Sequence, residues 1–161
     1  MPILKLELPN LSATQHLGTF LADGLTAGDV IALSGQLGAG KSSLARSIIV
    51  SANPNEIDVP SPTFSLVQTY ELADKTPLWH LDLFRIENPE DAMQLGLEDA
   101  FVDAVCLIEW PDRLKSLLPK SALLIHIYLA NDDNSDGIRF ADITAPPDWS
   151  GRLQAIIAKF S

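Results

Sequence analysis

The sequence predicts one three-layer α/β domain over residues 1–161, with a largely parallel sheet and an antiparallel hairpin. Three observations carry that expectation. Val30-Ile31-Ala32-Leu33 and Val105-Cys106-Leu107-Ile108 are short, continuously apolar runs, the pattern of strands covered on both faces. The first run leads straight into a glycine-rich loop and then a helix. Residues 65–70 and 78–83 read as strands joined by the polar segment 71–77, which signals a hairpin.

In chain order, residues 3–8 alternate as a strand and stop at Pro9. Ser12-Ala13-Thr14-Gln15 has the capping-box pattern, with Leu17, Leu21 and Leu25 along one helical face and Gly24 and Gly28 at its end. After the first apolar run, residues 42–51 form the helix that follows the glycines. Pro89-Glu90-Asp91 opens a short helix ending near Gly96, and Pro111 starts another. Residues 122–130 and 138–144 are late strands, and a last helix covers 149–160. The stretch 122–130 is the longest apolar one, yet it carries His126 and falls well short of the roughly 18–20 residues a membrane span needs, so it reads as a buried strand.

Composition narrows the function classes. The net charge is −10, from 21 acidic and 11 basic residues, and such a surface repels a phosphate backbone. Cys106 is the single cysteine, which excludes an internal disulfide. The first residues, MPILKLELPN, show neither a basic leader nor a sustained apolar core, so the expected location is cytoplasmic, with no membrane association.

The chemistry-bearing motif is Gly35-Gln36-Leu37-Gly38-Ala39-Gly40-Lys41-Ser42, the G-x-x-x-x-G-K-S spacing of a phosphate-binding P-loop. Glycines let backbone N–H groups turn inward around phosphate oxygens without Cβ clashes. Lys41 supplies a point charge for β- and γ-phosphates, Ser42 a hydroxyl for Mg²⁺, and the following helix its positive end. Gly38, Ala39, Gly40, Lys41, Ser42 and Ser43 are therefore the candidate nucleotide-binding stretch. The expected ligands are ATP and Mg²⁺.

A P-loop needs an acid at the end of a neighbouring strand to hold its metal. Glu109 directly follows the second apolar run, and Asp82 lies in His80-Leu81-Asp82-Leu83-Phe84-Arg85. Either fits, and a solvated strand-end acid is the plain alternative for each. His80 shares a strand face with Asp82 and is better suited to a structural hydrogen bond than to proton transfer. Pro60 and Pro62 stiffen a loop that displays Ser61 and Thr63, either as a γ-phosphate switch or as a simple proline turn. Arg46, Arg85 and Trp110 are open between nucleotide, partner and packing roles.

Taken in order, Thr14, Leu17-Gly18, LGAGKSS at 37–43, Arg46, SPTF at 61–64, HLDLFR at 80–85, Leu95-Gly96 and LIEWP at 107–111 resemble the TsaE family, the small ATPase of bacterial tRNA threonylcarbamoyladenosine synthesis. SPTF, HLDLFR and IEW in that order are far more specific than the P-loop alone. Ser42 stands where the family usually has threonine, and Phe84 where it usually has tyrosine. Nothing after residue 130 matches a motif. The resemblance implies an ATPase acting on TsaD-like and TsaB-like subunits, with tRNA met only indirectly through that complex. It also implies Ser42 and Glu109 as Mg²⁺ ligands, and Asp82 beside them or orienting the attacking water. Lys41, Asp82, Glu109 and Thr63 form the implied catalytic set, Thr63 as the switch, with the base near Asn10 and Thr14.

Rival readings are a small-molecule or nucleotide kinase, a GTP-dependent switch and a non-catalytic ATP-binding scaffold. Arg113, Lys115 and Lys120 are too sparse for a kinase's arginine-rich lid. The guanine-reading Asn-Lys-x-Asp element is absent, because no lysine follows an asparagine.

Overall fold

The computed structural model describes residues 3–36, 38–53, 55, 66–130 and 138–160. Their strands form a seven-stranded sheet in the order β1-β7-β6-β2-β5-β4-β3. The strands are β1 (Ile3–Leu8), β2 (Val30–Ser34), β3 (Val67–Glu71), β4 (Pro77–Asp82), β5 (Val105–Glu109), β6 (Leu123–Leu129) and β7 (Arg139–Thr144). The helices are α1 (Leu11–Ala22), α2 (Lys41–Ala52), α3 (Pro89–Ala92), α4 (Glu98–Asp103) and α5 (Ser150–Phe160).

The α/β class stands, but the sheet is mixed rather than largely parallel. Strands β6, β2, β5 and β4 form a parallel core. The expected β3–β4 hairpin flanks it on one side, and a second antiparallel unit, β6–β7–β1, flanks it on the other. A parallel neighbour needs a crossover of a dozen or more residues. The link from Leu129 to Arg139 is too short for that, so β7 folds straight back on β6, and β1 adds to its far side.

Side chains alternate along the central strands into two apolar layers. Ile31, Leu33, Val105 and Leu107 meet Leu17 and Leu21 of α1 and Leu44 and Ile48 of α2. Val30, Cys106 and Ile108 point the other way, toward Ala92, Leu97, Ala100 and Leu114. This gives the three layers. β6 departs from the buried-strand expectation: Leu123, Ile125 and Ile127 are buried while Leu124 and His126 are exposed, and no helix of the described residues covers that end of the second face.

Local signals shifted at three ends. α1 begins at Leu11 and is capped by Asn10, whose Oδ1 accepts from the Ala13 N–H at 2.9 Å, so Ser12 is not the cap. The helix opened by Pro89 reaches Gly96, where φ is +97°, and the chain continues into α4, an element not expected from the sequence. The segment after Pro111 is a tight 3-10 turn over Pro111–Leu117, broken at Lys115, rather than a full helix.

Candidate functional site

Because β2, β4 and β5 run parallel, their carboxyl ends share one edge, where ligands of such sheets bind. β2 ends at Ser34 and turns into the glycine loop, β4 ends at Asp82 and β5 ends at Glu109. Asp82 pairs in register with Glu109 and Leu33 with the same residue, which brings both acids beside the loop.

The loop's backbone requires its glycines. Gly35 has φ +143°, and a Cβ there would run into the carbonyl oxygen of Ile127. Gly40, at φ +112°, precedes α2 with no side-chain cap, so the first N–H groups of α2 remain available to an anion. Ala39 is buried in the core, which leaves only its backbone for a ligand, and Leu37 lies outside the described residues.

These elements frame a cavity of about 440 Å³. Lys41, Ser42, Ser43, Asp82 and Glu109 line it together with Gly38 and Gly40. Lys41 is 4% exposed, and its Nζ donates to the Gly35 carbonyl at 2.7 Å. Burial pushes the Lys41 ammonium below the ordinary lysine value, while the carboxylates of Glu109, Asp82 and Asp112 oppose that shift. Trp110 takes a left-handed backbone, φ 58° and ψ 52°, at a cost of about 1–2 kcal/mol for a non-glycine residue. That turn places its indole ring 3.7 Å from Lys41 Nζ, a cation–π contact, and 4.9 Å from the Phe84 ring.

Ser42 Oγ donates to Glu109, 3.1 Å from Oε1 and 3.4 Å from Oε2. The buried His80 binds the same carboxylate, Nε2 to Oε2 at 2.7 Å, which gives this histidine the hydrogen-bonding partner its position suggested. Asp82 is buried, and its Oδ1 accepts from the Phe84 N–H at 3.0 Å. Among the described residues no group of three or more His, Cys, Asp or Glu side chains is arranged as a metal cage. One hydroxyl and two carboxylates are instead the hard-oxygen set that Mg²⁺ takes when phosphates and water complete its shell.

Thr14 is buried and lines the cavity beside Leu11, whereas the Asn10 side chain is occupied as the α1 cap. Arg46 lies in a separate groove between α1 and α2. Arg85 is exposed beyond β4, and Thr63 with Ser61 lies outside the described residues. A larger groove, about 510 Å³, runs between β1 and α1, lined by Lys5, Glu7 and His16 as well as Leu6, Pro9, Ala13 and Phe20, so volume alone does not single out the glycine-loop cavity.

Arg139 is the charged cavity-lining residue that the sequence did not mark. It starts β7, lines the cavity, and its Nη2 donates to the Gly38 carbonyl at 3.3 Å. A Cβ on Gly40 would lie 3.3 Å from its Cδ, so the two are in close contact. No local spacing marks this arginine. Only the fold-back of β7 onto β6 delivers it to the loop.

A sequence model of the family described as Threonylcarbamoyl adenosine biosynthesis protein TsaE matches residues 8–137. The chain is 35% identical over 128 residues to the tRNA threonylcarbamoyladenosine biosynthesis protein TsaE of Rickettsia felis, covering 80% of this chain and 74% of that protein. It is 34% identical over 137 residues to the protein of the same name from Bacillus subtilis, covering 84% of each. The crystal structure of YdiB from Bacillus subtilis has a similar fold, with a TM-score of 0.80 at 26% identity, covering 99% of this chain and 97% of that one.

Proposed function

The chain belongs to the TsaE family, and from that premise we propose that it binds and hydrolyses ATP as a subunit needed for threonylcarbamoyl modification of a tRNA adenosine beside the anticodon. It acts on TsaD-like and TsaB-like subunits rather than on tRNA itself. The observation that carries this reading is the meeting of Lys41, the Ser42–Glu109 contact and the glycine loop in one cavity at the carboxyl edge of the sheet.

In this reading the loop N–H groups and the start of α2 hold the phosphates, and Lys41 turns from the Gly35 carbonyl to the β- and γ-phosphates. Arg139 adds a second cation beside Gly38. Ser42 and Glu109 would hold Mg²⁺, with Asp82 close by. The ion, when bound, neutralises charge on the phosphate oxygens. Asp82 orients the attacking water. Thr14 and Leu11 border the ribose and base side of the cavity, and Thr63 serves as the switch that reads the γ-phosphate. The net charge of −10 suits a subunit that leaves RNA contact to its partners. No helix of the described residues is long and apolar enough to cross a membrane, and a cytoplasmic location is part of the same proposal.

The test is ATP turnover by the chain alone and with purified TsaD-like and TsaB-like subunits. Turnover that rises on adding both partners, and is lost in Glu109→Ala, is the expected result. A chain that phosphorylates a nucleoside or sugar instead, or that binds ATP without turnover in the complete mixture, contradicts it.

A further inference from the structure

Strand spacing places Leu78, His80 and Asp82 on the α2 face of β4, and Val105, Leu107 and Glu109 on the same face of β5. His80 and Glu109 meet there with their side chains only 2% and 3% exposed. Glu109 thus has two protein partners with different tasks: His80 on Oε2 and the Ser42 hydroxyl chiefly on Oε1. A carboxylate at the end of a buried strand that kept its rotational freedom would present its metal-facing oxygen only part of the time.

The ring's other nitrogen fixes which way the histidine works. His80 Nδ1 is buried and meets no hydrogen-bonding partner among the described residues. A proton on Nε2 satisfies the carboxylate and leaves Nδ1 as a bare acceptor. A proton on Nδ1 would bury an unpaired N–H and set the Nε2 lone pair against carboxylate oxygen, which is the costlier arrangement. With Nε2 protonated, the imidazole donor is aimed at Oε2 of Glu109.

We propose that His80 is a positioning residue: its Nε2–H pins Oε2 of Glu109 and so turns Oε1 toward Ser42 and the cavity, where a nucleotide-bound divalent cation is gripped. This rests on the nucleotide reading above and assigns His80 a role apart from proton transfer. Residues behind a metal ligand tune metal affinity by about 10–100-fold.

His80→Gln and His80→Asn make the decisive pair. Both are polar and close in size, but the glutamine amide extends one methylene further and reaches the site of Nε2, whereas the asparagine amide ends near Nδ1. Calorimetry would give ADP affinity with excess Mg²⁺ and with EDTA, and the ratio of the two is the readout. Parent and His80→Gln should keep a similar ratio, and His80→Asn should lower it by about tenfold while leaving the EDTA affinity unchanged. Equal ratios for the two variants overturn the proposal, as does an equal loss with and without metal, which marks a purely structural histidine. Failure of the parent to bind ADP under either condition overturns the nucleotide reading instead, so the two failures are distinguishable.

Discussion

Lys41 and Arg139 reach the glycine loop at different carbonyls, Gly35 and Gly38, and they differ in how the chain brings them there. Lys41 belongs to the motif itself, and the loop's glycines and Ser42 were legible from spacing alone. Arg139 lies beyond the family match at 8–137, in the part of the chain where no motif was found. A guanidinium hydrogen-bonding to phosphate is worth about 1.5–3 kcal/mol. Arg139→Ala should therefore weaken ADP at least about tenfold, equivalent to about 1.4 kcal/mol. Unchanged affinity with a lowered melting temperature would instead make Arg139 a strut for the Gly38 carbonyl. Asn10 shows the opposite limit of residue-scale reading. It was expected beside the base, but Leu11 and Thr14 line the cavity while the Asn10 side chain serves the α1 cap.

Among elements, the apolar runs announced β2 and β5, and the polar segment before Pro77 announced the β3–β4 hairpin. Pairing was harder to read, because a strand's own residues do not say which neighbour it takes. β7 was expected as a strand, yet its antiparallel return beside β6 follows from the length of the connection. α4 escaped because Gly96 reads as a helix end, whereas its φ of +97° bends the chain between two helical turns. The α1–α2 pair carries a constraint of its own. Gly18 is buried where α1 crosses α2, and a Cβ there would clash with Cβ of Ser47 and approach the Ile48 nitrogen at 3.1 Å. Alanine favours a helix over glycine by roughly 0.5–1 kcal/mol, but overpacking costs about 1–3 kcal/mol. Gly18→Ala should therefore lower stability in urea unfolding despite the better helix former. A raised midpoint would mean that the two helices part without penalty. Because α2 carries Lys41 and Ser42 at its start, loosening this contact also loosens the site.

The whole molecule puts its chemistry on one edge. Parallel β4, β2 and β5 align Asp82, the loop and Glu109, while β7 brings Arg139 and the start of α1 brings Thr14. The cavity gathers Lys41 and Arg139 beside the carboxylates of Asp82 and Glu109 within a chain of net charge −10. Composition alone spoke against nucleic acid and could not point to the cavity. The motif pointed to the cavity, and the family relation supplied the pathway. The proposed function stands on this cavity holding a magnesium-bound adenine nucleotide through Lys41. Its most direct test is calorimetric titration of ADP with Mg²⁺ into the parent chain and into Lys41→Ala, with circular dichroism on both. Saturable binding to the parent is expected and, for the variant, a loss of at least about tenfold, or 1.4 kcal/mol, with an unchanged spectrum. Equal affinities in two equally folded proteins would contradict it.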